Sequence, residues 1–279
     1  MNLKSMISSL NTSILLEGRE GLFMLEDAFE LVSLLLNIEN IEKHPDYLFL
    51  DVPKDKKSIG VDDVMPIVQK SHLKPALGEK TIVVINHMDT LTEAAQNKLL
   101  LSLEESPYLF IIGISYQDRL LETVLSRMRR ITYSSLSKEE FIDNCEGRFT
   151  RSDAEILYYA CDGCPGFIHS LGSELPLLRD LYDVCSKGKR SDIFSILHLV
   201  TEKDKLSVYN DRNLLSAVLK IMQNGFMQRS FFALQQSNKD KALRYAAIVK
   251  RLALDESLML SPAYTKDNFF RTVLYCVEY

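Results

Sequence analysis

Three arginines fall within the run Arg127-Met-Arg-Arg130, directly after Ser126. A guanidinium is well shaped for phosphate, being planar, permanently charged and able to donate a bidentate fork. Taken alone, such a run reads equally as a solvated basic turn ahead of the β-rich Ile131-Thr-Tyr133. Two further glycines, Gly18 and Gly21, stand between a short apolar run, Ile14-Leu-Leu16, and a helical pattern from Ala28 to Leu36. Cys161-Asp-Gly-Cys164 has the spacing of half a zinc site, but a structural site needs four ligands and no second pair follows at a suitable distance. His169 is either a third ligand or an ordinary helix-surface residue.

The elements that would carry these residues are clearest between Lys80 and Ile131. Thr81-Ile-Val-Val-Ile85 is a β-branched run suited to a buried parallel strand. Thr92 opens a helical pattern reaching Glu105, with Ala95, Leu99 and Leu103 on one face, and Pro107 closes it. Leu109-Phe-Ile-Ile-Gly-Ile114 is a second buried-strand candidate, and Asp118 to Leu125 reads as a short helix that delivers Ser126 and Arg127 to its end. Beyond Ser135 the pattern turns helical. Ser137 is a candidate N-cap, Gly163 to Gly166 a break, and Ser186 to Ser191 a linker. Leu214, Val218 and Met222 recur at helical spacing, as do Phe231 with Leu234 and Ala246 with Leu252; core packing is the ordinary meaning of such stripes.

Composition narrows the function classes. A chain of 279 residues exceeds one typical domain, and a net charge of −5 argues against stand-alone nucleic-acid binding. Lys54, Lys56 and Lys57 form a local basic patch that reads as a solvated loop or as a phosphate contact within a larger complex. No apolar run approaches the roughly 20 residues that span a bilayer, and no secretory signal is evident, so a cytoplasmic protein is expected. The five cysteines, Cys145, Cys161, Cys164, Cys185 and Cys276, are scattered and odd in number, which suits reduced thiols.

The run Thr92-Glu-Ala-Ala-Gln-Asn-Lys-Leu-Leu-Leu-Ser-Leu-Glu-Glu-Ser-Pro107, followed by Leu120-Leu-Glu-Thr-Val-Leu-Ser-Arg-Met-Arg-Arg-Ile131, resembles the clamp-loader branch of the AAA+ ATPases. His44-Pro-Asp-Tyr47 and Ser58-Ile-Gly-Val-Asp-Asp63 are similar to segments of one bacterial subunit type in that branch. The resemblance covers about residues 10 to 135. It implies that the phosphate loop lies at Gly18-Arg-Glu-Gly-Leu-Phe-Met-Leu25. Such a loop uses backbone N–H groups freed by glycine, a lysine for the terminal phosphate and a hydroxyl for magnesium. Gly18 and Gly21 fit, but Phe23 takes the place of the third glycine, Met24 of the lysine and Leu25 of the hydroxyl, three apolar side chains expected to fill the phosphate position. The acidic box reads Asn86-His-Met-Asp89: Asn86 is no charged magnesium ligand, and His87 stands where a glutamate would polarise water. After Gly163-Cys-Pro-Gly166, Phe167 replaces an expected arginine. No cofactor or metal is therefore expected.

The same resemblance makes Arg127 an arginine finger offered in trans to a neighbour's ATP, with Ser126 as its motif partner. Arg129 and Arg130 are then surface charges or weak phosphate contacts, and Met128 replaces a customary cysteine as an apolar packing residue. The implied fold is an α/β AAA+ domain, a P-loop-like RecA-type parallel sheet with flanking helices, over 1–136. A small helical lid over 137–185 and an all-α collar over 186–279 follow. The implied role is a non-catalytic clamp-loader subunit acting as scaffold and finger donor. Its implied partners are the tau or gamma ATPase subunits and the delta subunit, and through them the sliding clamp and primed DNA. An active AAA+ ATPase with an atypical loop, and a zinc-stabilised interaction module built on Cys161 and Cys164, are the alternatives.

Overall fold

The computed structural model describes residues 12–38, 40–187, 211–259, 261 and 264–278. The chain divides into two compact units, Met1–Ser134 and Ser135–Tyr279.

The first unit is built on β1 (Ile14–Glu17), β2 (Tyr47–Leu50), β3 (Thr81–Ile85), β4 (Leu109–Ser115) and β5 (Arg129–Thr132). They form one sheet in the order β2-β3-β4-β1-β5, with every pairing parallel. Parallel neighbours need crossovers, and the chain supplies them as α1 (Met24–Leu36), α2 (Val61–Ser71), α3 (Glu93–Glu105) and α4 (Glu122–Leu125). β3 and β4 are buried along their whole length, which explains their unbroken apolar runs. Strand alternation splits their side chains between two faces. Leu15, Val83, Ile85, Leu109 and Ile111 join Val64 and Ile67 of α2, Ala95 and Leu99 of α3 and Val124 of α4 in one cluster. α1 contacts β3 and β4 and buries Ala28, Leu31 and Val32.

Local chemistry sets the ends of these elements. The Thr92 hydroxyl accepts from Ala95 N (3.3 Å) and caps α3. α4 is shorter than the expected Asp118 to Leu125, beginning at Glu122 with Leu121 extended. The cause is buried Gln96, whose Oε1 accepts from Leu121 N (2.8 Å) while its Nε2 donates to the Leu91 carbonyl (3.1 Å), so the approach to α4 is pinned out of helical geometry. β2 has no counterpart among the expected strands. Tyr47-Leu-Phe-Leu50 lacks β-branched residues and lies at the sheet edge, where its burial is only partial.

The second unit is helical: α5 (Lys138–Asn144), α6 (Arg151–Cys161), α7 (Ile168–Leu171), α8 (Leu175–Lys187), α9 (Arg212–Gln235), α10 (Lys239–Leu258) and α11 (Lys266–Glu278). Ser137 caps α5 as expected, with its hydroxyl accepting from Glu140 N and Glu140 reaching back to Ser137 N. Gly163, at φ +71°, breaks the run in the expected place. Helices from the stretch expected as a lid and from the stretch expected as a collar share one buried cluster, from Phe141 and Leu157 through Leu181 to Val218, Leu252 and Val273. α9 and α8 approach closely enough that a Cβ on Gly225 would lie 2.5 Å from Cys185 Cβ. The stripe Leu214, Val218, Met222 is core, whereas Phe231 and Leu234 are exposed at 63% and 55%. The linker expected at Ser186 to Ser191 falls mostly outside the described residues. Among those described, no helix is long and apolar enough to cross a membrane.

Candidate functional site

In open parallel sheets ligands bind beyond the carboxyl ends of the strands. Here the loop after β1 is closed by its own packing. A Cβ added at Gly18 would sit 2.9 Å from Tyr133 Cβ and 3.2 Å from Met24 Sδ, so Met24, 2% exposed, occupies the space beside the loop. The three apolar replacements do not act together. Only Met24 turns inward; Leu25 is half-buried and Phe23 is 42% exposed. Phe23 holds the left-handed φ of +57° that a glycine would adopt freely, which directs its ring outward instead of into the loop. Glu26 and Asp27 lie in the first turn of α1, where carboxylates complement the helix dipole that would otherwise attract phosphate. Asp27 accepts from the Tyr133 hydroxyl at 2.7 Å, and burial together with this bond pushes the tyrosine's pKa up.

The residues after β2, β3 and β4 form a second closed network. Asn86 Nδ2 donates to Asp51 Oδ2 (2.9 Å), and Asn86 Oδ1 accepts from the Tyr116 hydroxyl (3.1 Å). His87 Nδ1 meets Asp51 Oδ1 at 3.0 Å, and its ring lies against Tyr116 with centroids 4.8 Å apart. Asp89, 5% exposed, accepts from Tyr116 N at 3.0 Å. Burial, reinforced by carboxylates including Glu20 and Asp51, pushes the Tyr116 hydroxyl up to about 12, so it remains a donor at neutral pH. Sequence reasoning did not single out Asp51 or Tyr116. The available signal was their place immediately after β2 and β4.

Arg127 lies at the opposite end of the sheet. β5 starts two residues later, and its first N–H, on Arg129, donates to the carbonyl of Ser13 just ahead of β1. Arg127 Nη1 donates to the Thr123 carbonyl (2.6 Å) and to Ser126 Oγ (3.1 Å), while Nη2 pairs with Glu104 Oε1 at the end of α3. The Arg127 side chain retains 34% exposure. Ser126 Oγ also donates to the Thr123 carbonyl (3.1 Å), so the serine braces the guanidinium's plane. Arg130 is committed elsewhere, with Nε 2.7 Å from Glu17 Oε2. Met128 is buried in a cluster with Leu125, near Gly113.

Other motif residues have structural work. Asp46 is 2% exposed and accepts from Ala76 N (2.6 Å), Leu77 N (2.7 Å) and Gly78 N (2.9 Å). Burial alone would raise its pKa, but the three N–H donors outweigh burial and hold it below the usual carboxylate range. Asp63 accepts from Gly60 N at the start of α2 and pairs with Lys56 at 2.9 Å, so one of the three lysines of the basic patch is tied down. Cys161 and Cys164 are buried in the second unit with exposed His169 nearby in sequence, and burial pushes the Cys161 thiol up to about 12. Zinc needs thiolates, which such burial disfavours. Among the described residues no group of three or more His, Cys, Asp or Glu is arranged to hold a metal ion.

An all-parallel sheet in this order with flanking helices, followed by a helical region, is the α/β arrangement of the AAA+ proteins. A solved gamma-subunit-related protein of DNA polymerase III from Thermotoga maritima shares the fold, with a TM-score of 0.56 at 18% identity, covering 100% of this chain and 99% of that one. Residues 2–137 match the family described as DNA polymerase III, delta subunit. DNA polymerase III subunit delta' of Escherichia coli (strain K12) is 39% identical over 88 residues, 31% of this chain and 26% of that protein. The Yersinia pestis subunit delta' is 37% identical over 86 residues, 30% and 25% of the two chains. The matched stretch thus spans about a quarter of these curated relatives. The resemblance to a delta-prime-like clamp-loader subunit, read from the motifs, is borne out by these matches.

Proposed function

We propose that the chain is a delta-prime-like subunit of a bacterial replication clamp loader that hydrolyses no ATP itself and lends Arg127 to the ATP of a neighbouring subunit. The observation that carries this reading is the contrast within the first unit. Met24 fills the loop where a phosphate-binding lysine would stand, while Arg127 remains partly exposed at the end of a motif-bearing turn. In small GTPases a finger arginine contributes roughly 10³ to 10⁵ in rate by meeting charge on the transferring phosphoryl group. A donor of such a finger has no need of its own phosphate loop. Residues 1–136 then form the motor-derived domain, 137–185 the lid and 186–279 the collar that braces the assembly. The partners are tau or gamma ATPase subunits and the delta subunit, with the sliding clamp and primed DNA reached through the complex. The setting is the cytoplasm, at the nucleoid through the replisome.

The test is clamp- and primed-DNA-stimulated ATP hydrolysis by an assembly reconstituted with wild-type chain or Arg127→Ala. A clear fall in turnover with the complex intact supports the reading. Unchanged turnover leaves a scaffold and removes the trans-catalytic half.

A further inference from the structure

Arg127 is held by two kinds of contact. Thr123 O and Ser126 Oγ, at 2.6 and 3.1 Å from Nη1, belong to the same short helical turn as the arginine and travel with it. The Glu104 carboxylate on Nη2 belongs to the end of α3, a different element, and is the only anion of the three partners. We infer that Glu104 is a positioning residue for Arg127, holding the guanidinium in its own chain until phosphate oxygens from a neighbour's nucleotide displace the carboxylate. This inference rests on the proposed trans role of Arg127.

Three physical points favour an exchangeable latch over a fixed structural pair. Carboxylate and phosphate oxygens both accept from guanidinium N–H groups, so a phosphate oxygen can take over the Nη2 contact that Glu104 Oε1 holds. The Nη1 contacts leave the guanidinium oriented when Nη2 changes partner. The side chains are 34% and 42% exposed, and ion pairs in such surroundings are weak, equivalent to no more than about fivefold in an equilibrium. A pair of that strength reserves the arginine without trapping it. A ligand that binds the released state better shifts the population toward it.

The experiment uses the reconstituted assembly with wild type, Glu104→Gln, Glu105→Gln and Arg127→Ala, measuring stimulated ATP turnover at saturating ATP, KM for ATP and complex integrity. Glu104→Gln keeps the shape and removes the charge. It is expected to raise turnover about 1.5- to 5-fold, with KM for ATP unchanged and the gain shrinking as salt screens the wild-type pair. Glu105→Gln, an adjacent exposed carboxylate, is expected to match wild type. If Arg127→Ala lowers turnover but Glu104→Gln leaves it flat or lowers it, the latch is refuted while the finger stands. If Arg127→Ala has no effect, the finger itself fails and the latch with it.

Discussion

At the carboxyl ends of β2, β3 and β4, the side chains of Asp51, Asn86, His87 and Asp89 and the hydroxyl and N–H of Tyr116 are matched to one another. At the amino end of β5, by contrast, the Arg127 guanidinium rests on an exposed carboxylate and keeps a third of its surface open. Both regions belong to the same sheet. The difference is one of polar partnership: groups at the first end satisfy one another and contribute to stability, whereas the second end presents a cation whose local contacts are weak, the division of labour that the proposed function requires. Substitutions should therefore separate stability from turnover according to the end they touch.

Met24→Ala should give the largest change in stability, about 2–5 kcal/mol as for other buried large-to-small substitutions, read by urea denaturation of the isolated chain. A loss under about 0.5 kcal/mol, in the range of surface changes, would mean that the loop after β1 is open instead of closed by the packing of Met24.

Asp46→Ala should cost about 1–3 kcal/mol by removing the buried carboxylate that accepts from three backbone N–H groups. Its pH behaviour follows from the depressed folded pKa. The stabilisation is fully present above the unfolded value of about 3.9 and is lost as pH falls through the folded value. Wild type should thus lose more stability than Asp46→Asn on acidification below pH 4. Parallel acid-denaturation profiles would contradict the assignment. This residue sharpens the comparison because it is a motif position whose work is structural, unlike Arg127.

The smallest stability effect is expected for Arg127→Ala in the isolated chain, within about 0.5–1 kcal/mol, since a partly exposed ion pair contributes little. Thermal or urea unfolding checks it. A loss of several kcal/mol would make Arg127 a structural residue and blur the distinction between the two ends.

Much of the first unit was readable because local signals agree. The β-branched run of β3, the Thr92 cap and the Pro107 stop each act over a few residues, and their joint placement specifies a parallel strand–helix–strand unit. What stayed hidden depends on distant partners. The edge strand β2 acquires its conformation by pairing with β3, and the α4 start is displaced by Gln96, 25 residues before Leu121. Asp51 and His87 meet across 36 residues, and no local pattern marks the pair. Glu104 stood in a recognised helix, yet its contact with Arg127 exists only once α3 and α4 are folded together. The three apolar replacements in the loop were visible by type. Their different burial was not, because the positive φ of Phe23 is a property of the folded loop.

The most direct test of the central claim is turnover of the reconstituted assembly carrying Arg127→Lys. Lysine preserves the charge but cannot provide the planar fork, so a finger role predicts that most of the loss seen with Arg127→Ala persists in Arg127→Lys with the complex intact. Turnover equal to wild type in Arg127→Lys would show that only a positive surface charge is needed there, and would contradict the account.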